Sequence, residues 1–318
     1  MKQIRVAQSS DGYSFPLYVR LQKHGSRQMR SVKQLLSRMT LLAMLFSHIV
    51  SAADLSWLPQ GSIFPSRYLD PATTQQSISI LSYEVEGETQ QLIYVPISLS
   101  MRQQFLRSVQ SSQTQWEVGM EFSVYSQFSI VDVGEAFMGG LQNADYRISS
   151  MFHYQYNPQT LYRVSLFHQS SYLSDDYIIR NFITTATLRT QNYEQLDLTL
   201  YKKYEGWKLY GVVGYNVSPN TVRERSLIQF GGDWIRPLAN HAGIALLVAM
   251  DVKIYEHNNY VPNVRIGAGI EFARRTQTPL KLLLNYYQGH LPYSTLEYQK
   301  VSLAGLTLIF DIPSKIQL

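Results

Sequence analysis

The sequence predicts an all-β protein: an antiparallel, up-and-down transmembrane β-barrel of twelve strands, with ten as the alternative count. Three observations carry that expectation: a two-residue hydrophobic rhythm, an export-type N-terminus, and aromatic residues near the ends of the rhythmic segments. The rhythm is clearest between Trp116 and Ile130. Trp116, Val118, Met120, Phe122, Val124, Phe128 and Ile130 share one parity, broken by Ser126, while Glu117, Gly119, Glu121, Ser123, Tyr125, Gln127 and Ser129 share the other. Alternate side chains of a strand point to opposite faces, so this segment is apolar on one side and polar on the other. A barrel with lipid outside and water and charge inside requires that pattern.

At the N-terminus, Leu41 to Val50 form a short apolar run behind Lys33 and Arg38 and ahead of Ser51-Ala52-Ala53. That is the layout of a secretory signal, with cleavage expected after Ala53 and Asp54 as the mature start. A membrane-anchor helix would need about 20 apolar residues, and this run is too short. Residues 29–53 form a signal peptide of ordinary length opening at Met29, so residues 1–28 read as an upstream mis-start extension. Residues 1–53 hold eight Lys/Arg against Asp11, so the +5 of the whole chain becomes about −2 in the mature part. The basic balance therefore belongs to the removed segment and gives no reason to expect nucleic-acid binding. The absence of cysteine removes disulfide scaffolds, thiol catalysis and C-x-x-C metal sites.

Residues 54–75, with Pro59, Pro65 and Pro71, read as an extended lead-in. The barrel is expected over 76–310, from strands at 76–85, 91–99, 115–130, 144–156, 160–170, 186–201, 206–217, 225–235, 242–255, 262–273, 279–288 and 300–310, the first two having the weakest pattern. Residues 311–318 are a C-terminal tail. An even strand number suits a bacterial single-chain barrel. The alternation is strongest late in the chain: Ile244, Leu246, Val248, Met250, Val252 and Ile254 oppose Gly243, Ala245, Leu247, Ala249, Asp251 and Lys253. Likewise Val264, Ile266, Ala268, Ile270 and Phe272 oppose Asn263, Arg265, Gly267, Gly269 and Glu271.

Charges of both signs recur on the interior parity: Glu117, Glu121, Asp145 and Arg147, then Asp197, then Asp251, Lys253, Arg265, Glu271 and Lys281. A narrow lumen filled by ion pairs is the simplest consequence, and a wide solute pore is not expected at this strand number. A soluble sandwich or lipocalin-like barrel would share the alternation with its apolar face inward. Strand lengths of 11–16 residues favour the membrane form. So do Trp116, Tyr154, Tyr156, Tyr162, Trp207, Trp234, Tyr286 and Tyr287, read as interfacial aromatics near strand ends.

Gly305, Leu308 and Phe310 have the spacing of the C-terminal assembly signal of outer-membrane barrels, which makes the barrel assembly machinery an expected partner beside outer-membrane lipids. The chain departs from that signal at Leu303, where a polar residue is usual, and by continuing to Leu318. Four strings stand out in order: Asn143-Ala144-Asp145-Tyr146-Arg147, Phe167-His168-Gln169-Ser170-Ser171-Tyr172-Leu173-Ser174-Asp175-Asp176, Tyr193-Glu194-Gln195-Leu196-Asp197 and Tyr286-Tyr287-Gln288-Gly289-His290-Leu291-Pro292-Tyr293. Together they resemble a domain-of-unknown-function family of bacterial outer-membrane β-barrel proteins, over about residue 76 to Phe310. The resemblance implies the fold and the outer-membrane location, and no activity.

His168-Gln169-Ser170 also resembles the His-x-Ser core of outer-membrane phospholipase A and of the lipid A deacylase barrel, serine hydrolases whose catalytic groups sit on the outer wall. Parity points the same way independently. Tyr162, Val164 and Leu166 define the lipid side of their strand, and His168 and Ser170 continue it. Two residues apart on one face, His168 can serve as general base for the Ser170 hydroxyl. A third group should orient the imidazole. Leu196, Leu198 and Leu200 carry Glu194 and Asn192 outward on the next strand, with Glu194 the preferred third member and Asn192 the reserve. The enzymes follow the motif with Asn where this chain has Ser171, and their third residue lies nearer in sequence. His-x-Ser is a common tripeptide, and a polar strand end entering the headgroup region would look the same. Asp175 and Asp176 are a candidate Ca²⁺ pair if the protein is a hydrolase, or simply solvated acids. No other cofactor is expected, and His153, His241, His257 and His290 lack metal-ligand spacing. Two function classes follow: a non-enzymatic envelope barrel, structural or a narrow channel with its lumen closed by charge, and an outer-wall lipid-ester hydrolase acting on phospholipid or lipid A.

Overall fold

The structure is a computed structural model that describes residues 54–73, 75–87, 92–109, 114–133, 136–182, 191–218, 224–238, 243–272 and 279–310. The expected signal peptide and upstream extension, His241 and the C-terminal tail lie outside the described residues.

Thirteen strands form one antiparallel sheet. A short β1 (Asp54–Trp57) precedes β2 (Gln76–Val85), β3 (Leu92–Val109), β4 (Gln115–Val133), β5 (Ala136–Asn157), β6 (Thr160–Leu173) and β7 (Gln191–Lys203). The series continues with β8 (Trp207–Asn216), β9 (Ser226–Pro237), β10 (Ile244–Tyr255), β11 (Pro262–Phe272), β12 (Leu280–His290) and β13 (Lys300–Phe310). Each strand from β2 to β12 pairs with the next. β13 then returns to β2, with Phe310 opposite Gln76 and Val301 opposite Val85, so the sheet closes on itself. The result is a twelve-stranded up-and-down barrel, the larger of the two expected counts. Closure leaves no open edge, which is what a sheet needs where no water can satisfy its N–H and C=O groups. At this closing seam, a Cβ on Gly305 would come 2.2 Å from the Ile80 carbonyl oxygen, so the absence of a side chain lets β13 and β2 meet.

Two strands outrun their sequence patterns. β3 extends to Val109 because its far end gains a second partner: β2 covers Leu92–Ser98, and β1 covers Leu106–Val109. β5 starts at Ala136, pairing back onto the end of β4.

The parity is realised in three dimensions. Ile80, Leu99, Phe122, Ile148, Leu166, Leu198, Val213, Val248, Ile266, Leu284 and Leu306 all face out and are exposed. The expected interior charges are inside, and most are paired. Arg102 and Arg163 each sit 2.6 Å from Glu121, and Arg107 sits 2.6 Å from Glu117. Asp145 accepts from Asn143, Gln169 and Ser171. Asp251 accepts from Gln229 and Tyr210, Arg265 lies over the Tyr287 ring, and Lys281 is 4.0 Å from Glu271.

Ion pairs between wall residues do not fill the lumen alone, however, and here the structure corrects the sequence reading. The lead-in runs through the barrel. Ser62 Oγ and Ile63 N–H donate to Glu117, and the Phe64 ring stacks on His153 with centroids 4.8 Å apart. Arg102 and Arg147 donate to the Phe64 and Ala72 carbonyls, and Tyr125 to that of Thr73. Asp70, on the same segment, is gripped by Lys253 at 2.5 Å and Arg67 at 3.0 Å. At the end opposite the β1 side, Leu291, Tyr293 and Leu296 from the β12–β13 connection fold into an apolar cluster with Leu81, Tyr83, Tyr94, Tyr125 and Leu303. Leu303, the departure from the C-terminal signal, is thus a core residue.

Two aromatics are likewise reassigned. Tyr287 is 4% exposed and belongs to that inner cluster, so it is no interfacial residue. Trp116 keeps the outward parity but is covered, 2% exposed and tilted against Phe152. A lone reading of strand-end aromatics cannot separate the two faces when two tyrosines are adjacent, as in Tyr286-Tyr287.

Candidate functional site

β6 is hydrogen-bonded on both sides, to β5 and to β7, which holds its outward side chains in fixed positions. Along it Tyr162, Val164 and Leu166 are exposed, and the same face continues through His168 and Ser170. The strand ends at Leu173. Ser174 then caps a short helix, α1 (Asp175–Arg180), its hydroxyl accepting from Tyr177 N–H at 3.1 Å. The polar pair therefore sits where the apolar band gives way to a loop, at the barrel end opposite the chain's first and last described strand ends.

Register sets the cross-strand neighbours. His168 lies between Ile148 of β5 and Glu194 of β7, and Ser170 lies between Tyr146 and Asn192. His168 Nδ1 is 2.8 Å from Glu194 Oε1, and His168 Nε2 is 2.9 Å from Ser170 Oγ. A carboxylate only accepts, so Nδ1 carries the proton; Nε2 is then the acceptor for the Ser170 O–H. The imidazole and the carboxylate are 42% and 43% exposed, so the group lies open on the outer wall. This is the connectivity of a nucleophile, base and orienting acid.

A fourth residue has no counterpart in the sequence reading. Ser218, just past β8, donates its hydroxyl to Glu194 Oε2 in a short contact and accepts from Glu194 N–H at 2.9 Å. Each Glu194 oxygen thus has its own donor. Nothing in the pattern around Val217-Ser218 marks it, because the contact depends on how the β7–β8 pairing frays at its end: Val217 N–H already bonds to the Glu194 carbonyl. Hydrogen bonds to charged groups contribute about 1.5–3 kcal/mol, less where exposed. Ser218→Ala is expected to slow any reaction that depends on this carboxylate by roughly tenfold, read as kcat with KM unchanged.

Asp175 and Asp176 occupy the first turn of α1, where their charge suits the positive end of a helix dipole. Among the described residues no group of three or more His, Asp or Glu side chains has metal-binding geometry. His153 is buried against Glu117, His257 lies 3.3 Å from Glu297, and His290 bonds to the Glu297 carbonyl. The interior charges Glu117, Glu121, Asp145, Arg147, Asp251, Lys253, Arg265 and Glu271 are all on the far side of the wall from Ser170 and take no part in this site.

The family described as protein of unknown function DUF1207 matches residues 31–312, nearly the whole barrel chain. The chain belongs to the DUF1207 family. No curated protein matches the sequence. Among solved structures, this DUF1207 protein is similar to an active-site mutant of outer-membrane phospholipase A from Escherichia coli, with TM-score 0.54 at 11% identity over 80% of this chain and 94% of that one. It also aligns with the calcium-bound outer-membrane phospholipase dimer of Salmonella typhi, TM-score 0.49 at 11% identity over 79% and 94% of the two chains. A third alignment is with LpxR of Salmonella typhimurium, TM-score 0.33 at 9% identity over 74% and 100%. The first of these likenesses establishes that the DUF1207 chain has the fold of an outer-membrane β-barrel. At such identity it speaks to the fold alone.

Proposed function

We propose that this DUF1207 protein resides in the bacterial outer membrane and is a serine hydrolase of lipid esters working on the outer wall of its barrel. The observation that carries the reading is the unbroken Ser170–His168–Glu194 hydrogen-bond chain on a lipid-facing surface. The group stands at the end of the apolar band, where outward polar side chains cost little, and both imidazole nitrogens are engaged. A solvated rim residue would not need an imidazole aligned at both nitrogens.

The chemistry follows from the geometry. Ser170 Oγ attacks the ester carbonyl carbon as His168 Nε2 takes its proton, and Glu194 steadies the resulting imidazolium through Nδ1–H. The tetrahedral adduct collapses to an acyl-serine as His168 returns the proton to the departing alcohol oxygen. Water, deprotonated by the same nitrogen, then releases the fatty acid and restores Ser170. The site's height on the barrel suits this substrate. Leu166 and Leu198 lie beneath it for an acyl chain, while the ester of a membrane lipid sits at the boundary between hydrocarbon and headgroup. Residues 62–73 occupy the lumen.

The test is fatty-acid release by the purified protein in detergent, from phospholipid and from lipopolysaccharide, with and without Ca²⁺. Release from either substrate supports the reading. A folded barrel, shown by faster gel migration before boiling than after, that releases no acid under any condition refutes it.

A further inference from the structure

An ester hydrolase needs more than a nucleophile and a base. Negative charge develops on the carbonyl oxygen in the tetrahedral adduct, and donors already aimed at that oxygen supply the largest single share of rate enhancement. Serine hydrolases commonly use backbone N–H groups beside the nucleophile for this purpose. Here that route is closed. β6 is paired without a register break on both sides of Ser170, to Asn143–Gln155 of β5 and to Gln191–Lys202 of β7. In an antiparallel ladder the N–H groups lie in the sheet, directed into the two seams, so none near Ser170 points to the outer wall. Among the described residues around Ser170, that leaves side chains rising from the neighbouring strands as donors to the oxyanion.

Two side chains flank Ser170 on that face: Tyr146 on β5 and Asn192 on β7. Directly opposed residues have Cβ atoms about 4.5–5.5 Å apart. An asparagine carboxamide ends close to its own Cβ, at nearly the height of a serine hydroxyl. A tyrosine ring instead carries its hydroxyl well past that height, and the Tyr146 ring packs edge-on against Tyr172, 6.2 Å between centroids. His168 lies along the strand from Ser170 and occupies one approach to the reacting carbon. Asn192, exposed and displaced across the sheet, faces another.

We propose that Asn192 is a catalytic residue: its Nδ2–H donates to the substrate's carbonyl oxygen as that oxygen becomes an oxyanion, while Tyr146 forms an apolar wall for the acyl chain. This assignment rests on the hydrolase reading and adds to it. It gives Asn192 a role separate from orienting His168, which Glu194 fills. No proton or electron changes hands at Asn192; it donates a hydrogen bond that strengthens as charge develops and weakens on collapse to the acyl-serine.

The experiment compares the unmutated protein with Asn192→Ala and Asn192→Asp in detergent micelles of a short-chain phospholipid. Each is checked for folding by its heat-dependent gel shift. Two readouts are taken: kcat and KM for acid release, and inhibition by an alkyl boronic acid, whose tetrahedral adduct on Ser170 places an oxygen where the oxyanion forms. Asn192→Ala is expected to lower kcat by about 10²–10³-fold with KM within about twofold, and to weaken boronate inhibition by a similar factor. Asn192→Asp should be slower still, because a carboxylate repels the developing charge. An Asn192→Ala protein that folds and retains kcat within twofold overturns the assignment while leaving the hydrolase reading intact. So does a kcat loss that leaves boronate affinity unchanged. So does activity abolished by a chelator but indifferent to Asn192→Ala, which would give the oxyanion to a bound cation. An unmutated protein that neither hydrolyses lipid nor binds boronate refutes both readings together.

Discussion

Ser170→Ala is expected to abolish fatty-acid release while the barrel assembles and migrates normally. Removing the nucleophile of a serine hydrolase costs on the order of 10⁶-fold in kcat, because the acyl intermediate forms on that hydroxyl. Glu194→Gln should cost about 10⁴-fold. The carboxamide can still hydrogen-bond to His168 Nδ1, but it no longer fixes the proton there or balances the imidazolium. Both replacements are outward and nearly isosteric, so barrel stability should change by under ~1 kcal/mol. The measurement is single-turnover and steady-state acid release, with denaturant or thermal unfolding of each variant as the structural control. Activity in Ser170→Ala within tenfold of the unmutated protein would show that Ser170 is an ordinary rim residue.

The second large effect is expected at Asp70, inside the barrel. The inward segment is held there by Lys253 at 2.5 Å and Arg67 at 3.0 Å, with Asp70 itself 1% exposed. Asp70→Asn removes the charge that holds Lys253 and Arg67 to the inward segment. Breaking a buried ion pair from one side costs about 3–5 kcal/mol. The barrel wall is closed by its own hydrogen bonds, so this penalty should fall on docking of the segment. In planar bilayers the unmutated protein should show little or no conductance, since chain fills its lumen. Asp70→Asn should show frequent openings, and Arg147→Gln, which loosens the hold on the Ala72 carbonyl, should act in the same direction. Trypsin should also cut at Arg67 in Asp70→Asn and spare it in the unmutated protein. Large stable conductance in the unmutated protein would refute the plugged lumen. Unchanged conductance and cleavage in Asp70→Asn would place the closure elsewhere.

These two results would separate the faces of one wall. On the proposed reading hydrolysis belongs outside, at Ser170. Closure belongs inside, where Asp70 meets Lys253. Each set of variants should leave the other property unchanged, because a β-strand sends neighbouring side chains to opposite sides.

That same period of two explains what was legible in the sequence. A strand buried or exposed by parity announces its two faces without any knowledge of its neighbours. The twelve strands, the inward course of Glu117, Glu121, Asp251 and Arg265, and the shared outward face of His168 and Ser170 could all be read from residue order. Proximities across strands could not be read so directly. Glu194 and Asn192 share an outward parity, and only the β6–β7 register, set across the long connection after Leu173, places one opposite His168 and the other opposite Ser170. A shift of two residues would preserve every face and put Asn192 opposite His168, or Glu194 opposite Ser170. Ser218 reaches Glu194 because pairing ends at Asn216, a detail of the strand end that no period encodes. The lead-in carries prolines and no rhythm, so its sequence spoke only of an extended chain. Its path through the lumen was decided by the closed barrel, whose inward Glu117, Arg147 and Lys253 bind it from the wall. Local alternation therefore determined the fold and which side each side chain takes. Register, closure and the filling of enclosed space, which depend on residues far apart in sequence, were decided by the tertiary structure.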